Sequence, residues 1–158
     1  MALIILDRDG VINQDSDQFV KTVDEFVFLD GSVEAIAALS KAGHKIYIAT
    51  NQSGIARDYL NLETLDAMHN KLLIAVKNFG GAVQGILFCP HVPDDSCDCR
   101  QPKPGLGGQI LAEQELTSEE LRTSIMISDS IRDLQVGDSK KLKQVFVTTG
   151  QGKKNETD

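Results

Sequence analysis

The 158-residue sequence has no apolar run that approaches the ~20 residues needed to span a bilayer. It also has no internal repeat and no low-complexity tract. Its start, MALIILDRDG, passes from apolar residues straight into charge and does not resemble a signal peptide. We therefore expect a cytoplasmic protein without a membrane partner. Because no apolar surface stripe is evident, we also expect a monomer.

The sequence has no excess of positive charge either, since its formal net charge is −7. This charge disfavours nucleic acid and anionic membranes as partners. An acidic protein of this kind binds an anionic substrate only through a locally positive site. The length predicts one domain over residues 1–150, followed by a polar tail at 151–158 that frays.

Short apolar runs rich in β-branched residues alternate with helical patterns along the chain. This alternation predicts an α/β fold, Rossmann-like, with a parallel five-stranded sheet and helices on both faces. The predicted strands are Ala2–Leu6, Lys45–Ala49, Gly85–Phe88, Ser124–Ser128 and Gln144–Thr148. The predicted helices are Ser32–Ala42, with Ser32 as its cap, Asn61–Phe79, Pro104–Glu115 and a weaker one at Asp129–Lys140.

Polar residues of chemical interest follow the first four predicted strands directly. In a parallel sheet, ligands bind beyond the carboxyl ends of the strands. The first strand leads into LDRDG, which places the carboxylates of Asp7 and Asp9 two residues apart. Such a pair normally binds a divalent cation or has split pKa values, so that one carboxylate acts as nucleophile or ligand while the other transfers a proton. An Asp-rich turn is the alternative.

Two further motifs place candidate residues at the carboxyl ends of the strands. SDSIRDL, at 128–134, adds Asp129 and Asp133. Oxygen ligands without nearby His or Cys suit Mg²⁺; for Asp133, interaction with a helix dipole is an equal alternative. The motif ATNQSGIAR offers donors for a phosphate, with an ordinary polar helix-capping loop as the alternative. Its candidates are Thr50, Asn51, Gln52 and Ser53 for the phosphate and Arg57 for a second anionic group.

In this order, the three motifs resemble those of the haloacid dehalogenase superfamily of phosphatases over nearly the whole chain. The resemblance implies a flavodoxin-like fold and aspartyl-phosphate chemistry. It implies that Asp7 is the nucleophile and that Asp9 protonates the leaving oxygen and then activates water. Thr50 would hold the phosphoryl group, and Asp129 would complete a Mg²⁺ site with Asp7 and the backbone carbonyl of Asp9. Phosphoryl transfer relies chiefly on such positioning and charge neutralisation.

All three cysteines lie in one loop, CPHVPDDSCDC, which also contains a histidine. The pattern C-x-H followed by C-x-C has the composition of a tetrahedral zinc site formed by Cys89, His91, Cys97 and Cys99. Four protein ligands leave no open position for water, so the predicted Zn²⁺ is structural. Disulfides are disfavoured in a cytosolic chain and would leave one cysteine over. Unpaired surface cysteines are the remaining alternative.

The cysteine loop is similar to that of heptose 1,7-bisphosphate phosphatases and of histidinol-phosphate phosphatases. NQSGIAR and INQDSDQFVK are more similar to the heptose group, which implies hydrolysis of the 7-phosphate of D-glycero-D-manno-heptose 1,7-bisphosphate for cell-surface polysaccharide (lipopolysaccharide) synthesis. Histidinol phosphate is the alternative substrate. No insertion is long enough for a separate cap domain. The resemblance assigns substrate recognition to Arg100 and places near the sugar Asn13, Asp15, Ser16, Asp17 and Gln18.

Three features depart from the family pattern. Gln101 occupies the substrate-facing position where the family motif C-R-K-P has a lysine that neutralises the nucleophile and phosphate. Lys103 is the candidate to supply this catalytic charge, although a solvated loop lysine is the alternative. Ser128 replaces the usual glycine before Asp129 and is expected to crowd the metal loop, and residues 135–143 contain weak helix formers. A weakened or inactive relative acting as a binding protein is therefore the rival hypothesis. We expect His44 and His69 on the surface.

Overall fold

The computed structural model describes residues 2–131 and 142–151, which form an α/β fold with five strands and four helices. In chain order these are β1 (Leu3–Leu6), α1 (Ser32–Lys41), β2 (Lys45–Asn51), α2 (Leu62–Asn78), β3 (Gly85–Cys89), α3 (Gly105–Gln114), α4 (Ser118–Thr123), β4 (Ile125–Ser128) and β5 (Lys143–Phe146). The strands form one sheet in the order β3-β2-β1-β4-β5, with every pairing parallel. The predicted fold class is confirmed.

The sheet is covered on both faces because its central strands are apolar on both sides. In β1, Ile4 and Leu6 face the core that includes residues of α1 and α2. Leu3 and Ile5 face the second core, which is formed with α3. This three-layer arrangement leaves the carboxyl ends of the strands as the place where polar loops meet.

Helix boundaries follow local capping. The side chain of Asn61 caps α2 by accepting from the backbone N–H of Thr64 over 2.8 Å. The cap of α1 is Gly31, with φ 80°, and not Ser32 as expected. Instead, the Ser32 hydroxyl donates to the carbonyl of Ile12 over 2.7 Å and ties α1 to the loop after β1.

The helix α4 is not predicted by periodicity because it has six residues. It is held by a capping box, in which the Thr117 and Glu120 side chains each bind the other's backbone N–H. Asp133 and most of the predicted helix Asp129–Lys140 lie outside the described residues. Within the described residues, no helix is both long and apolar enough to cross a membrane.

Candidate active site

The loops after β1, β2 and β4 enclose a cavity of about 240 Å³. The strand order explains why: β1 lies between β2 and β4, so residues far apart in sequence come to one edge. The predicted nucleophile, acid–base residue, phosphate ligand and metal ligand all line this cavity, as do residues from the segments after β3 and β5. The lining consists of Asp7, Asp9, Thr50 and Asp129, with Asp15, Asn51, Arg100, Ser130 and Gln151.

Asp7 is held from two sides. Its Oδ1 accepts from the backbone N–H of Arg8 over 2.8 Å. Its Oδ2 accepts from the hydroxyl of Ser128 over 3.1 Å. Ser128 therefore contacts the predicted nucleophile directly, instead of only crowding the loop as expected.

Asp129 lies beside two glycines that its carboxylate requires. A Cβ on Gly10 or on Gly150 would overlap Asp129 Oδ2, and both residues have positive φ, 82° and 56°. The same oxygen accepts from the backbone N–H of Gln151 over 2.7 Å. The segment after β5 thus closes over the metal-ligand candidate.

Asp9 accepts hydrogen bonds on both carboxylate oxygens. Oδ1 accepts hydrogen bonds from Nη2 of Arg8 and from Nδ2 of Asn13, each over 2.8 Å. Oδ2 accepts a hydrogen bond from Nε2 of Gln52 over 2.8 Å, and the same amide donates to Thr50 Oγ1 over 3.0 Å. Gln52 therefore links the acid–base candidate to the phosphate-binding candidate.

Arg8 is fully buried, and it contacts a histidine that was expected on the surface. His69, only 7% exposed, lies with Nε2 3.3 Å from Arg8 Nη1. A guanidinium has no acceptor, so Nε2 must accept and the imidazole is neutral. Burial and the Arg8 cation lower the pKa of His69 to about 4. The expectation for His69 is wrong, because it shares the buried face of α2 with Leu65 and Leu72.

A second cavity of about 200 Å³ adjoins the first and shares Asp9, Asp15, Asn51 and Arg100 with it. Ser16, Gln52 and Ser53 also line it, as predicted for a substrate site, together with Phe19 and Val20. Asn13 lines neither cavity. It is fully buried behind Asp9 and holds that carboxylate, which differs from its predicted contact with the sugar.

The remaining predicted substrate residues lie outside both cavities. Asp17 and Gln18 are exposed on the loop, and the Gln18 N–H donates to Ser16 Oγ over 3.1 Å. Arg57 is exposed, with Nε donating to Ser53 Oγ over 3.3 Å and its guanidinium carbon 5.4 Å from the centre of the Phe19 ring. Arg57 therefore borders the second cavity through Ser53 and Phe19.

The guanidinium of Arg57 lies over the face of the Phe19 ring. At this separation a cation is attracted by the face of an aromatic ring. The contact fixes Phe19, which has a positive φ of 65° and lines the second cavity. Arg57 thus shapes the cavity wall and does not enter the cavity.

Gln101 is joined to β2 through its backbone. The Asn51 side chain accepts from the Gln101 N–H over 2.8 Å and donates to the Gln101 carbonyl over 3.0 Å. The Gln101 side chain is 1% exposed, and neither of its amide atoms has a hydrogen-bond partner among the described residues. The structure does not bring Lys103 to either cavity. Lys103 is exposed, and its ammonium donates to the carbonyl of Cys97 over 2.6 Å.

The four predicted zinc ligands converge, with all ligand atoms within 4.8 Å of one another. Cys89 Sγ lies 3.8 Å from Cys97 Sγ and 3.4 Å from His91 Nδ1, and His91 Nδ1 lies 3.3 Å from Cys99 Sγ. At ordinary zinc bond lengths, the edges of a tetrahedron are about 3.8 Å between sulfurs and about 3.6 Å between sulfur and nitrogen. The donor set and its spacing fit Zn²⁺, and the sulfur separation is too long for a disulfide.

The thiols of this loop differ in acidity. Burial, followed by the hydrogen bond with Cys99, raises the pKa of Cys89 to about 12. Burial also acts to raise the pKa of Cys97, but hydrogen bonds from the Arg100 backbone and from Cys89 outweigh it and lower the pKa to about 6. A metal ion binds cysteine as the thiolate, so zinc bound here would hold Cys89 deprotonated against the effect of burial.

Comparisons with known proteins agree with this geometry. The family model described as "Polynucleotide kinase 3 phosphatase" matches residues 2–156. The D-glycero-beta-D-manno-heptose-1,7-bisphosphate 7-phosphatase of Neisseria meningitidis serogroup A is 48% identical over 98% of this chain and 81% of its own length. The enzyme of the same name from Pseudomonas aeruginosa is 50% identical over 96% of this chain and 83% of its own length. The chain belongs to the heptose 1,7-bisphosphate 7-phosphatase family of haloacid dehalogenase phosphatases.

A solved structure of this phosphatase family has the same fold. The crystal structure of D,D-heptose 1,7-bisphosphate phosphatase from B. bronchiseptica, complexed with magnesium and phosphate, superposes with a TM-score of 0.94 at 45% identity. The match covers 99% of this chain and 86% of that one. The Asp7 and Asp129 carboxylates at the first cavity are hard oxygen donors without His or Cys among the residues that line it, which fits Mg²⁺.

Sequence reasoning missed four residues of this phosphatase site. Arg8 lies between the two motif aspartates, and its type gives no sign that it is buried. Ser130 was passed over within SDSIRDL. Gln151 was assigned to the fraying tail, yet its amide donates to Asp15 Oδ2 over 2.8 Å. His69 had a signal, because it lies at helical spacing from Leu65 and Leu72.

Proposed function

We propose that this chain is a Mg²⁺-dependent phosphatase that removes the 7-phosphate of D-glycero-D-manno-heptose 1,7-bisphosphate. One observation carries the proposal: Asp7, Asp9, Thr50 and Asp129 line a single cavity at the carboxyl ends of neighbouring strands. Each has the residue type that aspartyl-phosphate chemistry requires at that place. The identity of nearly half the chain with phosphatases named for this substrate supports the choice of sugar.

The reaction takes two displacements at phosphorus. A carboxylate oxygen of Asp7 forms a bond to phosphorus while the bond to the sugar oxygen breaks, and Asp9 gives that oxygen its proton. Asp9 then takes a proton from water, whose oxygen attacks the aspartyl phosphate. This releases inorganic phosphate and restores the Asp7 carboxylate. Thr50 and the donors after β2 hold the phosphoryl oxygens during both steps.

Asp7, Asp129 and the backbone carbonyl of Asp9 are the proposed Mg²⁺ ligands. Bound there, the cation neutralises negative charge that develops on the phosphoryl oxygens. The chain's own contribution is to hold both carboxylates in place, through Arg8, Ser128 and Gln151.

We assign a structural Zn²⁺ to the loop of Cys89, His91, Cys97 and Cys99. The loop has a consequence for the phosphatase site through Arg100, which lines both cavities. Arg100 Nη1 donates to the carbonyl of His91 over 3.1 Å, so the metal loop orients this guanidinium. Arg100 supplies the locally positive charge that an acidic protein needs for an anionic substrate.

The unpaired amide of Gln101 favours a second candidate, a weakened relative that binds the sugar phosphate but turns it over slowly. A neutral amide cannot replace the charge of the motif lysine near a transferring phosphoryl group. Lys103 is bound to Cys97 and does not compensate in this conformation. Residues 1–150 as one domain, a monomeric state and a cytoplasmic location stay predictions.

The test is phosphate release, in the presence of Mg²⁺, from heptose 1,7-bisphosphate, histidinol phosphate and a 3′-phosphorylated oligonucleotide. We expect turnover of the heptose substrate in preference to the others, and its loss in Asp7→Asn. Asp58→Asn, an exposed position outside both cavities, is the matched control and keeps the wild-type rate. Preference for another substrate overturns the sugar assignment. Activity that appears only in Gln101→Lys establishes the weakened relative.

A further inference from the structure

Ser128 stands at the end of β4, directly beside the end of β1. The two strands pair in parallel with Leu6 opposite Ile127, and the Asp7 N–H continues the ladder by donating to the Ile127 carbonyl over 2.9 Å. The next residues along are Asp7 and Ser128. Their side chains meet in the interior, where Ser128 has no exposed surface and Asp7 is 7% exposed.

The neighbours of the Ser128 hydroxyl fix its direction. The backbone N–H of Ser130 donates to Ser128 Oγ over 3.1 Å, so the oxygen already accepts a hydrogen bond. Its own proton is directed to Asp7 Oδ2, 3.1 Å away. A hydroxyl carries one donor proton, and here that proton is committed to the carboxylate.

The two oxygens of Asp7 therefore have different donors. Oδ1 accepts from the Arg8 backbone over 2.8 Å, and Oδ2 accepts from Ser128. Rotation of the carboxylate about its Cβ–Cγ bond breaks both hydrogen bonds. A reacting group held in one orientation needs less reorganisation to reach the transition state. Such positioning lowers the activation barrier and so raises the rate.

We propose that Ser128 is a positioning residue that fixes the carboxylate plane of Asp7 for attack on phosphorus. Glycine, which the family pattern has at this position, cannot donate this hydrogen bond. The inference rests on the proposed phosphatase function, because it needs Asp7 to be the nucleophile. Ser128 itself forms no bond to the phosphoryl group.

The chain contains a matched control on the same strand segment. Ser124 immediately precedes β4 and is also without exposed surface. Its hydroxyl donates to the Glu120 carbonyl over 2.6 Å and accepts from the Leu3 N–H over 3.2 Å. It lies at the opposite end of the strand from Asp7. Ser124→Ala and Ser128→Ala thus remove equally buried hydroxyls, of which one reaches the nucleophile.

The experiment compares wild type, Ser128→Ala, Ser128→Thr and Ser124→Ala with heptose 1,7-bisphosphate and with p-nitrophenyl phosphate. We expect Ser128→Ala to lower kcat about tenfold on both compounds, with KM within about twofold. Ser128→Thr, which keeps the hydroxyl, restores part of the loss. Ser124→Ala lowers the melting temperature but keeps kcat. Melting curves establish that each variant is folded.

The outcomes separate the two proposals. Wild-type turnover of p-nitrophenyl phosphate without turnover of heptose 1,7-bisphosphate overturns the sugar assignment. The role of Ser128 is then decided by kcat on p-nitrophenyl phosphate alone. An unchanged kcat in folded Ser128→Ala overturns the positioning role, as does a change confined to KM. If Ser128→Ala does not fold, the folded Ser128→Gly variant replaces it, with the same expected loss. A wild type inactive on both compounds overturns both proposals.

Discussion

The buried guanidinium of Arg8 joins the carboxylate of Asp9 to the imidazole of His69. Nη2 lies 2.8 Å from Asp9 Oδ1, and Nη1 lies 3.3 Å from His69 Nε2. The Arg8 side chain has no exposed surface, whereas that of Asp9 is 24% exposed. The acid–base candidate is therefore oriented by a cation that water does not reach, and that cation is held from behind by a neutral imidazole.

Replacement of Arg8 by methionine is expected to lower both stability and activity. Loss of one partner from a largely buried ion pair costs about 3 kcal/mol, and Asp9 loses a donor that fixes its orientation. We expect kcat to fall at least tenfold, measured beside urea unfolding. Lys71→Met is the control, because Lys71 lies over the Phe26 ring at 5.9 Å, as Arg8 does at 5.1 Å, but donates to the carbonyls of Val23 and Phe26 instead of to Asp9. Equal losses of kcat in both variants would contradict the positioning of Asp9 by Arg8.

The stability of the protein is expected to fall at mildly acidic pH through His69. The unfolded imidazole binds a proton below its ordinary pKa of 6.5, whereas the pKa of folded His69 is about 4. The unfolded state thus binds more protons between these values. His69 contributes stability above pH 6.5 that is lost as the pH falls towards 4, by at most about 3 kcal/mol.

The measurement is urea unfolding at pH 7.5 and at pH 5. His69→Gln should lose less stability between these values than wild type. His44→Gln is the matched control and should keep the wild-type difference, since His44 is only half-buried and accepts from the Ala2 N–H. A wild-type difference retained in His69→Gln would exclude His69 as its source.

The buried amide of Gln101 is expected to destabilise the fold. A buried polar group without a partner costs about 1–3 kcal/mol, so Gln101→Met should raise the free energy of unfolding. Gln114→Met is the matched control, because one amide atom of Gln114, Oε1, also lacks a partner among the described residues, while Nε2 donates to the Tyr47 hydroxyl over 2.7 Å and the variant loses this bond. The urea midpoint should therefore rise clearly more in Gln101→Met than in Gln114→Met. A loss of stability in Gln101→Met would mean that the amide has a partner.

Alanine at Gly10 is expected to abolish Mg²⁺-dependent activity. Its Cβ would overlap Asp129 Oδ2 and displace the metal-ligand candidate. Gly31→Ala is the control, because Gly31 has nearly the same φ, 80° against 82°, and nothing lies within 4 Å of its added Cβ. Both variants carry the strain of positive φ, about 1 kcal/mol. Phosphate release over a Mg²⁺ titration should fail only in Gly10→Ala.

Removal of zinc is expected to weaken substrate binding more than the chemical step. The purified protein should contain about one zinc per chain, and Cys97→Ser should lose it. Without the metal, the His91 carbonyl no longer holds Arg100, so KM should rise more than kcat falls. Ser96→Ala, an exposed neighbour in the loop, is the control. Full zinc content and unchanged KM in Cys97→Ser would overturn the assignment. The measurements are zinc content and steady-state kinetics.

The sequence was sufficient to predict the strands and the residues at their ends, because apolar runs followed by polar motifs mark both. It predicted that Asp7 and Asp129 lie at one site, since the carboxyl ends of parallel strands lie on the same side of the sheet. It did not predict the contact of Ser128 with Asp7, which depends on β4 lying directly beside β1. The strand order is a property of long-range packing, and no local pattern encodes it.

The sequence predicted the wrong location for several other residues, and the physical reason is different for each. Asn13 is turned away from the sugar site because its buried amide donates to Asp9 Oδ1. Lys103 was proposed for its charge, but a flexible lysine binds the nearest carbonyl, that of Cys97. Gln151 could not be found, since a polar residue near a chain end has no pattern that distinguishes it from solvent-exposed neighbours.

The clamp between Asn51 and Gln101 uses only backbone atoms of residue 101. Neither hydrogen bond involves a side-chain atom of residue 101, so a lysine at that position can form both. The attachment of this loop to β2 therefore does not depend on the charge of the side chain at 101. An exchange of lysine and glutamine at 101 would therefore change the charge beside the site while the loop stays attached to β2.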